Sequence, residues 1–177
     1  TIRRPFALAV APNGARKTHV DHARLPITPD ELAQCARECV DAGAAMIHLH
    51  VRKADATHSL EVADYAPAMA AVRQAVGNQL VLQLTTEAVG IYQPAQQMAT
   101  VRALRPEAAS VAVRELAPDD ASLPVAESFF QWMHRENVVA QYILYDANDV
   151  RRYAALRGSG AIPEGRHWVL FVLGRYS

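Results

Sequence analysis

The sequence predicts an α/β protein of the TIM, or (β/α)8-barrel, type whose pattern is truncated after the sixth strand. Three observations predict it. Runs that are apolar on both faces alternate with amphipathic helical stretches, the mark of a parallel sheet built from βαβ crossovers. Polar and charged residues gather just past the strand ends: Asn13 and Arg16, His50 and Arg52, Thr85 to Glu87, Arg114 and Glu115, Asp146, and Arg175. Barrel enzymes keep their reactive groups there. No Gly-x-Gly-x-x-Gly follows the first strand, which argues against an open dinucleotide-binding sheet. On this reading the 177 residues form one barrel domain, 1–177. A barrel needs eight strands and usually about 250 residues, so the chain is expected to be part of a longer protein or to be completed by another segment.

The elements follow in order. Phe6 to Ala11 is a buried first strand, stopped by Pro12-Asn13-Gly14. The first helix has a complete start signal: Thr28 as N-cap, Pro29 at the first helical position, Glu31 closing a capping box, and Ile27 with Leu32 as a hydrophobic staple. Leu32, Cys35, Ala36, Cys39 and Val40 form its apolar stripe and Gly43 ends it. Ala44 to Arg52 is the second strand. Tyr65, Met69, Val72 and Val76 line a second helix ended by Gly77, and Leu80 to Thr85 is strand three. A helix from Pro94 to Leu104 precedes strand four, Ala109 to Val113. Val125, Phe129, Trp132 and Met133 mark the next helix, before strand five, Val138 to Tyr145. A helix from Asp146 to Arg157 stops at Gly158, and His167 to Leu173 is strand six.

Composition excludes several classes. A hydrophobic fraction of 51%, a charged fraction of 20% and zero formal net charge describe a soluble globular protein. They give no basic face for nucleic acid or for an anionic membrane surface. No apolar run approaches the ~20 residues that span a bilayer. The two cysteines, Cys35 and Cys39, are expected to be small core residues in a reducing cytoplasm, not a disulfide.

The chemistry centres on the second strand. Residues two apart share a strand face, so His48 and His50 point one way while Ile47, Leu49 and Val51 point the other. Two imidazoles at that spacing can converge on one ion, with ring nitrogens about 2.0–2.1 Å from a zinc. The plain alternative is a hydrogen-bonded histidine pair. Trp132 and Trp168 are expected to pack, His134 and His167 to be structural, and His58 to anchor its loop. His19, Asp21 and His22 follow no strict ligand spacing.

Two segments together carry a family resemblance: Asn13-Gly-Ala-Arg-Lys-Thr-His-Val-Asp-His-Ala-Arg-Leu-Pro-Ile-Thr-Pro29 and Ala42-Gly-Ala-Ala-Met-Ile-His-Leu-His-Val-Arg52. It continues through His58-Ser59-Leu60, Gln83-Leu-Thr-Thr86, Met98 to Pro106 and Leu170-Phe-Val-Leu-Gly174. The chain resembles the β-keto acid cleavage enzymes, whose type member is 3-keto-5-aminohexanoate cleavage enzyme. The resemblance implies a zinc-dependent (β/α)8 enzyme. Such an enzyme condenses a β-keto acid with acetyl-CoA and cleaves the product to acetoacetate and a new acyl-CoA. His48 and His50 match the zinc-binding histidines, and Thr85 and Ser110 match hydroxyl residues that contact substrate. Thr86, Asn13 and Arg16 are further substrate-binding candidates, and Arg114 could neutralise a carboxylate. The resemblance puts a third ligand, a glutamate beside a catalytic aspartate, on a last strand beyond Ser177.

The sequence departs from that pattern at several places. Glu87-Ala88 replaces two glycines, Ala112 an asparagine, Gln141 and Ile143 an acidic pair, and Gly174-Arg-Tyr-Ser177 a glycine-rich loop. Arg16 stands where the type member has a glutamate. Two other readings follow: a different metal-dependent aldolase or hydrolase on the same fold, with Glu87 or Glu115 as carboxylate ligand or catalytic group, or a non-catalytic truncated barrel. The expected partners are a small β-keto acid, acetyl-CoA and further copies of the chain in a homo-oligomer, with no nucleic acid or membrane.

Overall fold

The structure, a computed structural model, describes residues 6–165 and 167–174. The chain divides into two compact units, 1–84 and 85–177.

The first unit opens with β1 (Ala9–Val10), which pairs in parallel with β2 (Met46–Leu49), Ala9 opposite Met46 and Val10 opposite Ile47. Helix α1 (Pro29–Asp41) lies between them in sequence. It starts as its capping signal predicts. Thr28 accepts from the Glu31 N–H, and the Glu31 carboxylate accepts from the N–H groups of Thr28 and Ile27. Gly43, at φ +87°, makes the left-handed exit that a side chain resists. A short antiparallel hairpin, β3 (Val51–Arg52) with β4 (His58–Ser59), follows β2 and leads into α2 (Val62–Val76), which packs along α1. Strand β5 (Val81–Thr85) then pairs in parallel with β2, Met46 opposite Val81 through Leu49 opposite Leu84.

In the second unit α3 (Pro94–Leu104) precedes β6 (Ala108–Ala112), and one helical turn, α4 (Val113–Leu116), begins where the strand stops. Then come α5 (Leu123–Arg135), β7 (Val139–Leu144), α6 (Ala147–Gly158) and β8 (His167–Phe171). β7 pairs in parallel with β6 and with β8. Phe129, Phe130, Met133 and Tyr142 are fully buried at the centre of this unit's core, with Val101, Val111 and Leu116 around them. The class is the expected one. Six parallel strands follow chain order with helices in their connections, the pattern of a (β/α)8 barrel carried through six strands.

Several expectations are corrected. The first strand was expected to be buried from Phe6 to Ala11, but only Ala9 and Val10 pair, and Phe6 and Leu8 are exposed. The second strand is not continuous: it breaks at His50, between β2 and the hairpin strand β3. Val113 leaves its strand to start α4, so Arg114 and Glu115 sit on a helical turn. Val125 faces outward, because the buried stripe of α5 is Ala126, Phe129, Phe130 and Met133. Gly158 is the last residue of α6, and the left-handed exit falls at Gly160. Trp168, Leu170 and Phe171 of β8 are more than a third exposed, so Trp168 is not the packing residue expected. Cys35 and Cys39 are half-buried free thiols 4.0 Å apart. They line an open apolar cleft of about 260 Å³ with Leu8, Val10 and Ala42 and are not core residues. Arg175 lies outside the described residues.

Candidate functional site

The end of β2 is where the two histidines meet. Leu49, on the strand's other side, is fully buried and holds the backbone, and the Tyr65 hydroxyl from α2 donates to its carbonyl at 3.3 Å. Asn13, in the loop after β1, donates through its side-chain amide to the carbonyls of His50 (2.8 Å) and Pro26 (3.0 Å). It therefore acts here as a clamp between that loop and the histidine segment. Arg52 extends the clamp by donating to the carbonyls of Gly14 and Lys17.

The two imidazoles turn toward each other, Nε2 to Nε2, at 3.2 Å. Two nitrogens bound to one tetrahedral zinc lie about 3.3–3.4 Å apart, from bond lengths of about 2.0–2.1 Å. The other ring nitrogen of His48 lies 2.7 Å from the Gln83 Oε1, and Gln83 is the residue directly across in the β2–β5 register. His50 packs against the ring of His58, 5.4 Å between centroids. His58, expected to anchor its loop, does so as a buried member of the hairpin.

Burial sets the charge state of the pair. It lowers the His48 pKa, partly opposed by the Gln83 hydrogen bond. His50 falls to about 2, first through burial and then through the neighbouring His48, His58 and Arg52. Both rings are therefore neutral at pH 7, the form that offers a lone pair to a cation. The donor set fits two of the ligands a zinc takes. Among the described residues no group of three or more His, Cys, Asp or Glu side chains is placed to hold a metal ion.

Arg16 is exposed on the loop after β1. Nearby, His19 pairs with Glu31 at 3.2 Å and Asp21 with Lys17 at 3.0 Å, so these residues tie the loop together.

The second unit gathers the remaining candidates among themselves. Thr86 donates to the Ser110 carbonyl at 2.8 Å, and the Glu87 N–H donates to the Thr85 hydroxyl at 3.0 Å. Thr85, Thr86 and Ser110 are all nearly inaccessible, and the Ser110 hydroxyl has no hydrogen-bond partner among the described residues. Glu115 accepts from the Gln97 amide at 2.7 Å and from the Ala88 N–H at 3.3 Å. Burial still pushes its carboxyl above the ordinary range, against the pull of those hydrogen bonds. Arg114 is bound by Asp146 and Asp149, so the carboxylate-neutralising role expected of it is already taken by the chain's own acids.

Sequence reasoning missed Gln83 and Gln97 as site residues. The signal for Gln83 was present: one long polar side chain in an otherwise apolar strand, which burial tolerates only with a partner.

A (β/α)-barrel architecture with paired neutral histidines at a strand's end defines the class of protein. Within that class, the model of the beta-keto acid cleavage enzyme family matches residues 5–177, and the chain belongs to that family. A 3-oxoadipate:acetyl-CoA acetyltransferase of Cupriavidus necator is 24% identical over 177 residues, covering 98% of this chain and 61% of the relative. A 3-keto-5-aminohexanoate cleavage enzyme of Acetoanaerobium sticklandii is 31% identical over 166 residues, covering 91% of this chain and 60% of the relative. The chain thus spans about three fifths of the length of these curated relatives. Among solved structures, a spore coat polysaccharide biosynthesis protein of Bacillus subtilis matches with a TM-score of 0.54 at 14% identity. That match covers 84% of this chain and 41% of the other, and it bears on fold alone. Among the described residues no helix is long and apolar enough to cross a membrane.

Proposed function

We propose that the protein is a zinc-dependent β-keto acid cleavage enzyme. In this reading R-CO-CH2-COO⁻ and acetyl-CoA give acetoacetate and R-CO-CoA: the acyl group R-CO leaves the keto acid for the CoA thiol, and the acetyl group replaces it. The observation that carries the reading is the convergent Nε2 pair of His48 and His50, 3.2 Å apart, in a chain of this family. The names of the relatives, which specify acetyl-CoA in one case and a β-keto acid in the other, support the two substrates.

A zinc held by His48 and His50 would supply Lewis acidity toward a keto oxygen. The chain's own residues do the rest. Asn13 fixes the carbonyl of His50 and with it the backbone that carries the ring. By the family resemblance Thr85 and Ser110 would contact substrate through their hydroxyls, with Thr86 a further candidate; the Ser110 hydroxyl has no hydrogen-bond partner among the described residues. Arg16, exposed and cationic, suits an anionic substrate. Glu115 is the candidate for holding a proton, because burial keeps its carboxyl protonated to higher pH. Glu87 is the other carboxylate candidate.

The protein is further read as cytoplasmic, which its two free thiols support, and as a homo-oligomer, supported by the exposed Phe6, Phe171 and Leu173.

Elemental analysis of purified protein beside a His48→Ala/His50→Ala variant tests the metal. Near-stoichiometric zinc lost in the variant is expected, together with acetoacetate formation that depends on acetyl-CoA across a panel of β-keto acids. Zinc without CoA dependence would point to a different metal-dependent aldolase or hydrolase. No metal in either protein would overturn the catalytic reading.

A further inference from the structure

Gln83 has no place in the reaction outlined above, yet its setting is unusual. It is fully buried in β5, opposite His48 in register, with Oε1 2.7 Å from His48 Nδ1. Its Nε2 is buried without a hydrogen-bond partner among the described residues. A half-satisfied buried amide costs stability, and a leucine of similar volume would pack there without that cost. What glutamine supplies and leucine cannot is an oxygen aimed at one nitrogen of His48.

We infer that Gln83 is a positioning residue that fixes His48 as the tautomer protonated at Nδ1, leaving Nε2 bare toward His50. A neutral imidazole has one donor and one acceptor nitrogen, so an amide oxygen against Nδ1 assigns the proton there. The 3.2 Å contact between the Nε2 atoms is then an N–H···N bond in which His50 donates. For both Nε2 lone pairs to face one ion, His50 has only to carry its proton on Nδ1 instead. His48 already holds the required form, and the pair's proton count is unchanged. The effect on metal affinity rests on the reading of His48 and His50 as ligands; the tautomer is a property of the metal-free chain.

The test is long-range 1H–15N NMR of the histidine rings in metal-free protein, with His48 assigned by the signals that a His48→Gln variant loses. Wild type is expected to show Nδ1 protonated and Nε2 bare. Gln83→Glu, which keeps the acceptor, should show the same, and Gln83→Leu or Gln83→Met should move His48 toward the Nε2–H form. In zinc titrations Gln83→Leu should bind about 10–100-fold more weakly, the range seen when a ligand histidine loses its supporting acceptor, and Gln83→Glu should not. A wild-type His48 protonated at Nε2, or a tautomer indifferent to Gln83→Leu and Gln83→Met, overturns the inference while a zinc lost in His48→Ala/His50→Ala leaves the metal reading intact. Tautomers that respond as expected in a protein that binds no zinc uphold the inference and sink the metal reading.

Discussion

Two buried groups in this chain pull the pH dependence of folding in opposite directions. His50 is buried neutral, with a pKa near 2 in the fold against 6.5 when free. The unfolded chain therefore takes up the proton first, and the metal-free protein should lose stability as pH falls below 6.5. Glu115 is raised above its ordinary 4.5, so the fold holds that proton more tightly than the unfolded chain does. Its contribution is lost as pH rises through 4.5 and beyond. Glu115→Gln keeps an acceptor for Gln97 and removes the buried charge. The variant should be more stable than wild type at pH 7, with the gap closing below about pH 4.5. Urea midpoints at pH 4, 5.5 and 7 would check both signs, and a Glu115→Gln variant less stable at pH 7 would refute the account. At this scale the sequence showed the histidine pair because a two-residue period is geometry. It did not show that Arg114 is already bound by Asp146 and Asp149, because those residues are 32 and 35 positions away.

Helix starts were the most legible elements. Thr28, Pro29 and Glu31 lie within four residues, and their hydrogen bonds are local, so the capping box could be read without knowing what α1 packs against. Thr28→Ala should cost about 1 kcal/mol, the usual value of such a cap, with little effect on the histidines. Thermal or urea unfolding would measure it, and a loss near zero would mean that packing against α2 alone sets the helix start. Strand ends were less legible. Val113 has β propensity yet begins α4, and the break at His50 interrupts a run that alternates well. In both cases pairing partners decide where a strand stops, and those partners are far away in sequence. The β3–β4 hairpin was hidden for the same reason, since two-residue strands leave almost no periodicity to detect.

For the molecule as a whole, the alternation of apolar strands with amphipathic helices was enough to give the class, because a parallel sheet needs both faces covered. Which strand faces stay open was not readable. Apolar residues in β8 and ahead of β1 look like core residues in the sequence and are exposed in the structure. The cleft beside β1 makes this openness measurable with chemistry the chain already carries. Cys35 and Cys39 are its only two sulfhydryls, and both line that cleft. Burial and the adjacent thiol push Cys35 up to about 12, so it reacts far more slowly than an ordinary cysteine. A small alkylating reagent should therefore label this thiol pair slowly but measurably while the cleft is open, and mass spectrometry of the peptide would count the adducts. Full protection of both would mean that something has come to sit over them. The helix thus carries its own gauge of whether that flank of the molecule is bare or covered.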